Sequence, residues 1–347
     1  MSWRLIEWIE YSNLENIELI AHGGFGSVYK AIWKEGPIAV GEQAWDFNKS
    51  EWRRENKKEV AVKKFQNAIN VSPDFLNEVN SNLKMNSETS GFETIQIYGA
   101  TRDPQNGEYA IVTEFKNGGN LRKMIKKNHS NLTWKVILNI YWNISLGLIL
   151  VCRPMDQSST DKILYGVLPF VAPEVLLGKE FTEAADIYGF GMIMSELISG
   201  EPPFFGREYD ENLALAICYG QRPQFPEYTP EPYAELMKRC YDPIPTNRPT
   251  AKELNSQLTN LWEMLVIDDL SSLSEDHGLE IKEIKEIKEA FNQEREDKWK
   301  ARLAELATNS ISLKRSQNLL TSKRLDYSQH LSQKLSVEDW NKLKLTD

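Results

Sequence analysis

The chain has 347 residues, 41 % of them hydrophobic, which is enough to build one large domain with an appendage around a proper core. Its 50 acidic residues outnumber 41 basic ones, and a formal charge of −9 argues against nucleic acid or an anionic membrane as the main partner. Cys152, Cys218 and Cys240 lack paired spacing and nearby histidines. They read as reduced thiols. The first residues carry an acid early and no apolar core, and no apolar run is long enough to span a bilayer, so a cytoplasmic or nuclear protein is expected.

In chain order, Trp8–Asn13 is an aromatic-rich lead-in suited to a packing strap, and residues 1–14 are assigned to it. Two alternating runs, Ile17–Ile20 and Val28–Ile32, predict strands joined by a turn containing Gly23, Gly24, Phe25 and Gly26. Glycine lacks a Cβ, so the turn can bend sharply and bring backbone N–H groups close to a polyphosphate. The same Gly-Gly-x-Gly pattern also fits an ordinary surface hairpin. Residues 41–58 are charged and aromatic without a period, which predicts an extended surface loop. Glu59–Lys63 predicts a strand with Ala61 and Lys63 on one face and Val60 and Val62 on the other. A small residue beside a lysine offers a flat patch for a ring and a cation for phosphates. Ser72 and Pro73 predict a helix start, with Phe75 and Val79 sharing a face and Glu78 beside them. Strands are predicted at Thr94–Gly99 and Tyr109–Phe115 around the turn Asp103–Gly107, and helices at Leu121–Lys127 and Trp134–Leu148.

The glycine turn, the Val60-Ala61-Val62-Lys63 strand and the run Thr113-Glu114-Phe115-Lys116 resemble, in this order, the protein kinase family. The resemblance implies that Ala21, Gly23, Gly24, Phe25, Gly26, Val28, Ala61 and Lys63 contact ATP, although Ala21 stands where the family's first loop glycine would be. It makes Thr113 the gatekeeper, gives the backbone of Glu114–Lys116 to adenine, and pairs Lys63 with Glu78, 15 positions on. An exposed helix glutamate and an edge strand running into a loop fit the same residues.

After the core helix the family carries H-R-D-L-x-x-x-N and then D-F-G, which supply the aspartate facing the attacking hydroxyl and the Mg²⁺ ligands. Neither motif occurs in this chain, so no metal ligand and no complete catalytic set is assigned. The text Ser145-Leu146-Gly147-Leu148-Ile149-Leu150-Val151-Cys152-Arg153-Pro154 joins a sequence like the helix end to one like the residues after the metal-binding aspartate. About thirty to forty residues of the family pattern are missing near 148–151. Beyond the join the resemblance resumes. Met155–Leu164 is a polar loop with Ser158, Ser159 and Thr160, followed by Ala172-Pro173-Glu174, Asp186-Ile187-Tyr188-Gly189-Phe190-Gly191, Pro202-Pro203-Phe204 and Asn247-Arg248-Pro249. Val167 replaces the threonine usual in serine/threonine kinases, which leaves serine/threonine or tyrosine specificity open. The family pattern pairs Arg248 with Glu174 and makes Asp186 the brace of the absent loop. If Asp186 is buried without that loop, its charge is costly.

The expected architecture is α+β: a kinase-like first lobe at 15–116, β-rich, and a helical second lobe at 117–264 without the catalytic loop and its hairpin. Residues 265–347 add a linker and a helical tail. There, a triple Glu-Ile-Lys repeat from Glu280 gives one apolar stripe that Trp299, Leu303 and Leu306 can continue, which suits a helix docked on the body. Residues after Asn309 are expected to be weakly ordered. Two functions stay open. One is a catalytically impaired pseudokinase that binds ATP weakly, without need of Mg²⁺, and serves as a signalling scaffold for protein partners. The other is a shortened form of an active ATP-dependent serine/threonine-type kinase acting on protein substrates.

Overall fold

The structure, a computed structural model, describes residues 6–23, 26–39, 44–65, 95–151, 164–266, 281–308 and 322–334. Gly24, Phe25, the helix expected from Ser72 with Glu78, Cys152, the hydroxyls Ser158–Thr160 and the acidic linker near 268–278 lie outside the described residues. The chain divides into two compact units, Met1–Asn117 and Gly118–Asp347. The fold is α+β, with a β-sheet unit followed by a helical unit.

The first unit is a six-stranded sheet in the order β1-β7-β8-β6-β3-β2. These strands are β1 (Glu7–Trp8), β2 (Leu14–Gly23), β3 (Gly26–Trp33), β6 (Lys58–Phe65), β7 (Ile97–Arg102) and β8 (Tyr109–Glu114). Alternation sorts its side chains. Val60, Val62, Ala110, Val112, Ala31 and Trp33 are buried on one face with Ile9, Leu14 and Tyr98, while Phe65, Ile97 and Ile111 form a smaller cluster. The lead-in is more than a strap: β1 pairs in parallel with β7, and the Glu7 carboxylate accepts from the Ile38 amide at 3.1 Å and meets Arg54 at 2.8 Å. The stretch predicted as a formless loop contains a hairpin, β4 (Trp45–Asp46) against β5 (Glu51–Trp52). Two tryptophan rings packed edge to face at 5.0 Å hold it, and Asp46 accepts from the amides of Asn48 and Lys49 in the turn. Aperiodic sequence hid it because each strand is only two residues long.

The second unit is built from α1 (Leu121–Lys127), α2 (Trp134–Val151), α3 (Pro173–Leu176), α4 (Glu183–Ser199), α5 (Glu211–Cys218), α6 (Glu231–Cys240) and α7 (Ala251–Val266). Helix α4 is buried nearly all round, which is why it carries Gly189 and Gly191 among Ile187, Tyr188, Phe190, Met192 and Met194. Gly200 ends it in the left-handed region at φ 74°, donating its amide to Glu196 O at 2.8 Å.

The tail docks as two helices, α8 (Ile281–Ala290) and α9 (Gln293–Thr308), because Asn292 caps a new start by accepting from the Arg295 amide. Ile284, Trp299 and Leu303 are fully buried. Trp299 stacks on Trp134 at 4.9 Å with the rings 7° from parallel, and its Nε1–H donates to Leu197 O at 3.1 Å. The expectation of weak order beyond Asn309 is corrected in part. Leu325 and Leu331 are buried, and they fix a strand β10 (Lys323–Leu325), paired with β9 (Leu164–Gly166), and a short helix α10 (Ser328–Lys334). Among the described residues no helix is long and apolar enough to cross a membrane.

Candidate functional site

The candidate residues of the first unit lie in two rows across β3, β6 and β8. Val28 is opposite Lys63, which is opposite Ile111; Lys30 is opposite Ala61, which is opposite Thr113. Residues directly opposite in antiparallel strands share a face, so Val28, Lys30, Ala61, Lys63 and Thr113 form one patch. All five are half-buried, whereas Val60 and Val62 between them are completely covered on the other side. A methyl-lined patch between two lysines suits a flat ring carrying an anionic group. Lys63 Nζ lies 5.1 Å from the Phe65 ring centroid, a contact that steers the ammonium along this face.

Lys30 was not singled out in the sequence, yet it is the second cation of the patch. Its Nζ meets Glu59 at 2.5 Å and lies 4.9 Å from the Phe115 ring. The signal was available in the alternation, since Lys30 is two residues from Val28. At the turn, Gly23 is opposite Gly26, Ala21 is opposite Val28, and His22 Nδ1 lies 2.7 Å from Ser27 Oγ. Gly26 has φ 149°, and a Cβ there would stand 1.9 Å from Lys64 O. The glycine is therefore required by the close approach of β3 to β6, whatever the turn binds. At the end of β8, the Glu114 amide donates to Gln96 O at 2.7 Å, so that donor serves the sheet and leaves an adenine-like edge to its neighbours. Lys116 is exposed and pairs with Glu114 at 2.9 Å.

The neighbour of Lys63 does different work. Lys64 points to the opposite face and forms a buried ion pair with Asp103, beside the rings of Tyr11 and Tyr29. Burial opposes the charge on Asp103, but the Lys64 ammonium and the Gln105 amide outweigh it and hold the carboxyl below its usual range. Burial likewise opposes the charge on Lys64, and Asp103 and Tyr11 overcome it, so the ammonium is held above its usual range.

In the second unit, Arg248 grips Glu174 with two parallel bonds of 2.7 and 2.9 Å. It also donates to Asp242 O and Ala184 O, both at 2.8 Å. One buried guanidinium thus ties α3, the start of α4 and the turn before α7. Tyr188, missed as a contributor, lies between the guanidinium groups of Arg222 and Arg248, each 5.2 Å from its ring. Asp186 is half-buried in the first turn of α4, where a carboxylate complements the helix dipole. Its partial exposure does not meet the condition, burial, under which its charge was expected to be costly. Burial pushes the thiols of Cys218 and Cys240 up to about 12, which makes them inert core residues.

Comparison with known proteins agrees with this layout. The model of the protein tyrosine and serine/threonine kinase family matches in two segments, residues 14–152 and 147–258. The chain is 25 % identical over 323 residues to mitogen-activated protein kinase kinase kinase 10 of Xenopus laevis, covering 80 % of this chain and 29 % of that protein. It is 25 % identical over 325 residues to the protein of the same name from Mus musculus, covering 80 % and 32 %. It is also 24 % identical over 305 residues to the dual specificity protein kinase splA of Dictyostelium discoideum, covering 74 % and 12 %. The chain thus spans about a third or less of the length of these relatives. With the family pattern matched over most of its length on a β-sheet unit and a helical unit of the corresponding kind, this chain belongs to the protein tyrosine and serine/threonine kinase family.

Proposed function

We propose that this chain binds ATP on the patch of its first unit, does not transfer phosphate, and acts in signalling by holding protein partners. The observation that carries this reading is the shortness of the connection between α2 and β9. Only residues 152–163 lie between Val151 and Leu164. They include Asp156 and Asp161, neither preceded by His-Arg nor followed by Phe-Gly. The two segments of the family match overlap at 147–152, at the end of α2 where that connection begins.

The residues present fit the nucleotide in part. Val28, Ala61 and Thr113 offer the adenine a smooth surface, Lys63 offers the phosphates a cation, and Gly23 and Gly26 bound the turn that would cover them. Glu78 is assigned to orient Lys63. ATP, when bound, would supply a transferable phosphoryl group, but the chain offers no aspartate placed by motif to take the proton of a hydroxyl. Occupancy without turnover follows, and the absence of the family's metal-binding asparagine and aspartate makes that occupancy weak and indifferent to Mg²⁺. The test is a thermal shift and a binding titration with ATP, with and without Mg²⁺, beside a radioactive phosphotransfer assay. A shift independent of Mg²⁺ and no labelling support the reading. Labelling that disappears in Lys63→Met overturns it.

The abrupt join favours a second reading, a shortened form of an active protein kinase. Loss of one block leaves matching sequence on both sides, as the two segments of the family match do. Reading the transcript across Ser145–Pro154 separates the two, since a longer message encoding the missing motifs supports the active form and its absence refutes it.

A further inference from the structure

Helix α1 sorts its side chains by face. Ile125 is buried, Leu121 and Met124 pack partly on the core of the second unit, and Arg122 is held by Glu196 of α4. Lys123 and Lys127 lie on the opposite side and are exposed. Four residues apart, they stand one above the other on the helix surface. The Lys123 stem crosses Gly119, where a Cβ would meet its Cδ at 3.7 Å. Among the described residues neither ammonium has a carboxylate partner. The acids of the neighbouring elements are taken. Glu196 serves Arg122, and in α9, which packs against α1, Glu296 meets Lys300 at 2.8 Å and Glu305 meets Arg302 at 2.9 Å.

The charge around this helix runs against that of the whole molecule. In a chain of net charge −9, residues 115–155 contain seven lysines and arginines and no aspartate or glutamate. Like charges four apart also cost a helix stability, so the fold gains nothing from this pair. We infer that the Lys123–Lys127 face of α1 docks an acidic segment of a partner protein, extended along the helix with a carboxylate at every second position. The spacing carries the choice. Lys123 and Lys127 are about 6 Å apart along the axis, and alternate residues of an extended chain are about 6.6 Å apart. A membrane surface or a nucleic-acid duplex fits poorly, because its charge reaches past the patch to the acidic remainder of the chain. A single segment interacts within the screening length of about 8 Å and meets the lysines alone. The inference rests on the reading of this chain as a holder of protein partners, and gives that reading a surface and a chemistry.

The test uses the full chain without nucleotide and two fluorescein-labelled synthetic peptides, read by fluorescence anisotropy. One alternates glutamate and serine. The other has the same composition in the order Glu-Glu-Ser-Ser, so that no two glutamates are two residues apart. The native chain is expected to bind the alternating peptide severalfold more tightly than the other. Lys123→Glu/Lys127→Glu should weaken that binding at least tenfold, whereas Lys123→Arg/Lys127→Arg should keep it. Lys282→Glu/Lys285→Glu, the same charge change on exposed lysines of α8, should bind as the native chain does. Raising salt from about 0.1 M to about 1 M, which cuts the screening length from about 10 to about 3 Å, should abolish binding. Circular dichroism checks that each variant is folded. No binding by the native chain, equal binding of the two peptides, or an equal loss in the α1 and α8 variants overturns the inference. So does α1-dependent binding to phosphatidylserine vesicles without peptide binding, because the occupant would then be a lipid surface. The ATP titration and the phosphotransfer assay on the native chain are scored separately, so a failure of the nucleotide reading is told apart from a failure here.

Discussion

Trp299→Ala tests how far the tail belongs to the helical unit. The side chain is fully buried, stacks on Trp134 at 4.9 Å, and donates its N–H to Leu197 O at 3.1 Å. Truncating a buried tryptophan costs about 3–5 kcal/mol. The stack falls within that range, and the orphaned Leu197 carbonyl adds about 1 kcal/mol. A loss of about 4–6 kcal/mol is expected, and Trp299→Phe, which keeps a ring but not the donor, should lose about 1–2 kcal/mol. Urea unfolding of the full chain followed by far-UV circular dichroism measures both, and the Ala variant should melt about 10 °C lower. A loss below about 1 kcal/mol for Trp299→Ala, with an unchanged denaturant slope, would refute the claim that the tail helix is part of this core.

Glu174→Gln should destabilise the second unit by about 3–5 kcal/mol by leaving Arg248 buried without its partner, and Glu174→Met/Arg248→Met should recover part of that in the same urea experiment. Gly26→Ala should lower the melting temperature of the first unit by several degrees, since a Cβ would meet Lys64 O at 1.9 Å. Asp103 is held below, and Lys64 above, its ordinary range, so their pairing stabilises the fold fully between about pH 5 and 9. That contribution is lost as pH falls through the depressed carboxyl value and, at the other end, as it rises through the raised ammonium value. Asp103→Asn should flatten the acid limb of a stability–pH profile.

The sheet was readable wherever one strand runs long enough to alternate. Val60 and Val62 against Ala61 and Lys63 announced β6 and its two faces, and the same alternation could have added Lys30. Pairings between distant segments were not readable from local pattern. Glu174 and Arg248 are 74 residues apart, and only the order of family motifs links them. Strand β1 escaped because two residues carry no period and its partner, β7, lies far along the chain. The Trp45–Trp52 hairpin escaped for the same reason. Beyond Asn309 polar composition hid a strand, since what orders it is Leu325 and Leu331 meeting a surface built elsewhere. Asp186 could be placed at a helix start from sequence, but its degree of exposure depends on packing that no spacing encodes.

The Trp134 amide, in the first turn of α2, donates to the Glu296 carboxylate at 2.8 Å across a separation of 162 residues. One of the first amides of α2 is thus satisfied by an element synthesised 162 residues later, while Thr133 Oγ1 accepts locally from the Val136 amide at 3.2 Å. A nascent chain on the ribosome can assemble its sheet while translation continues, but the Trp134 amide lacks its carboxylate acceptor until α9 has emerged. Messages that stall or terminate before codon 296 would release a body whose Trp134 has lost both the acceptor of its amide and the ring stacked on it, which is the kind of surface that chaperones hold and proteases cut.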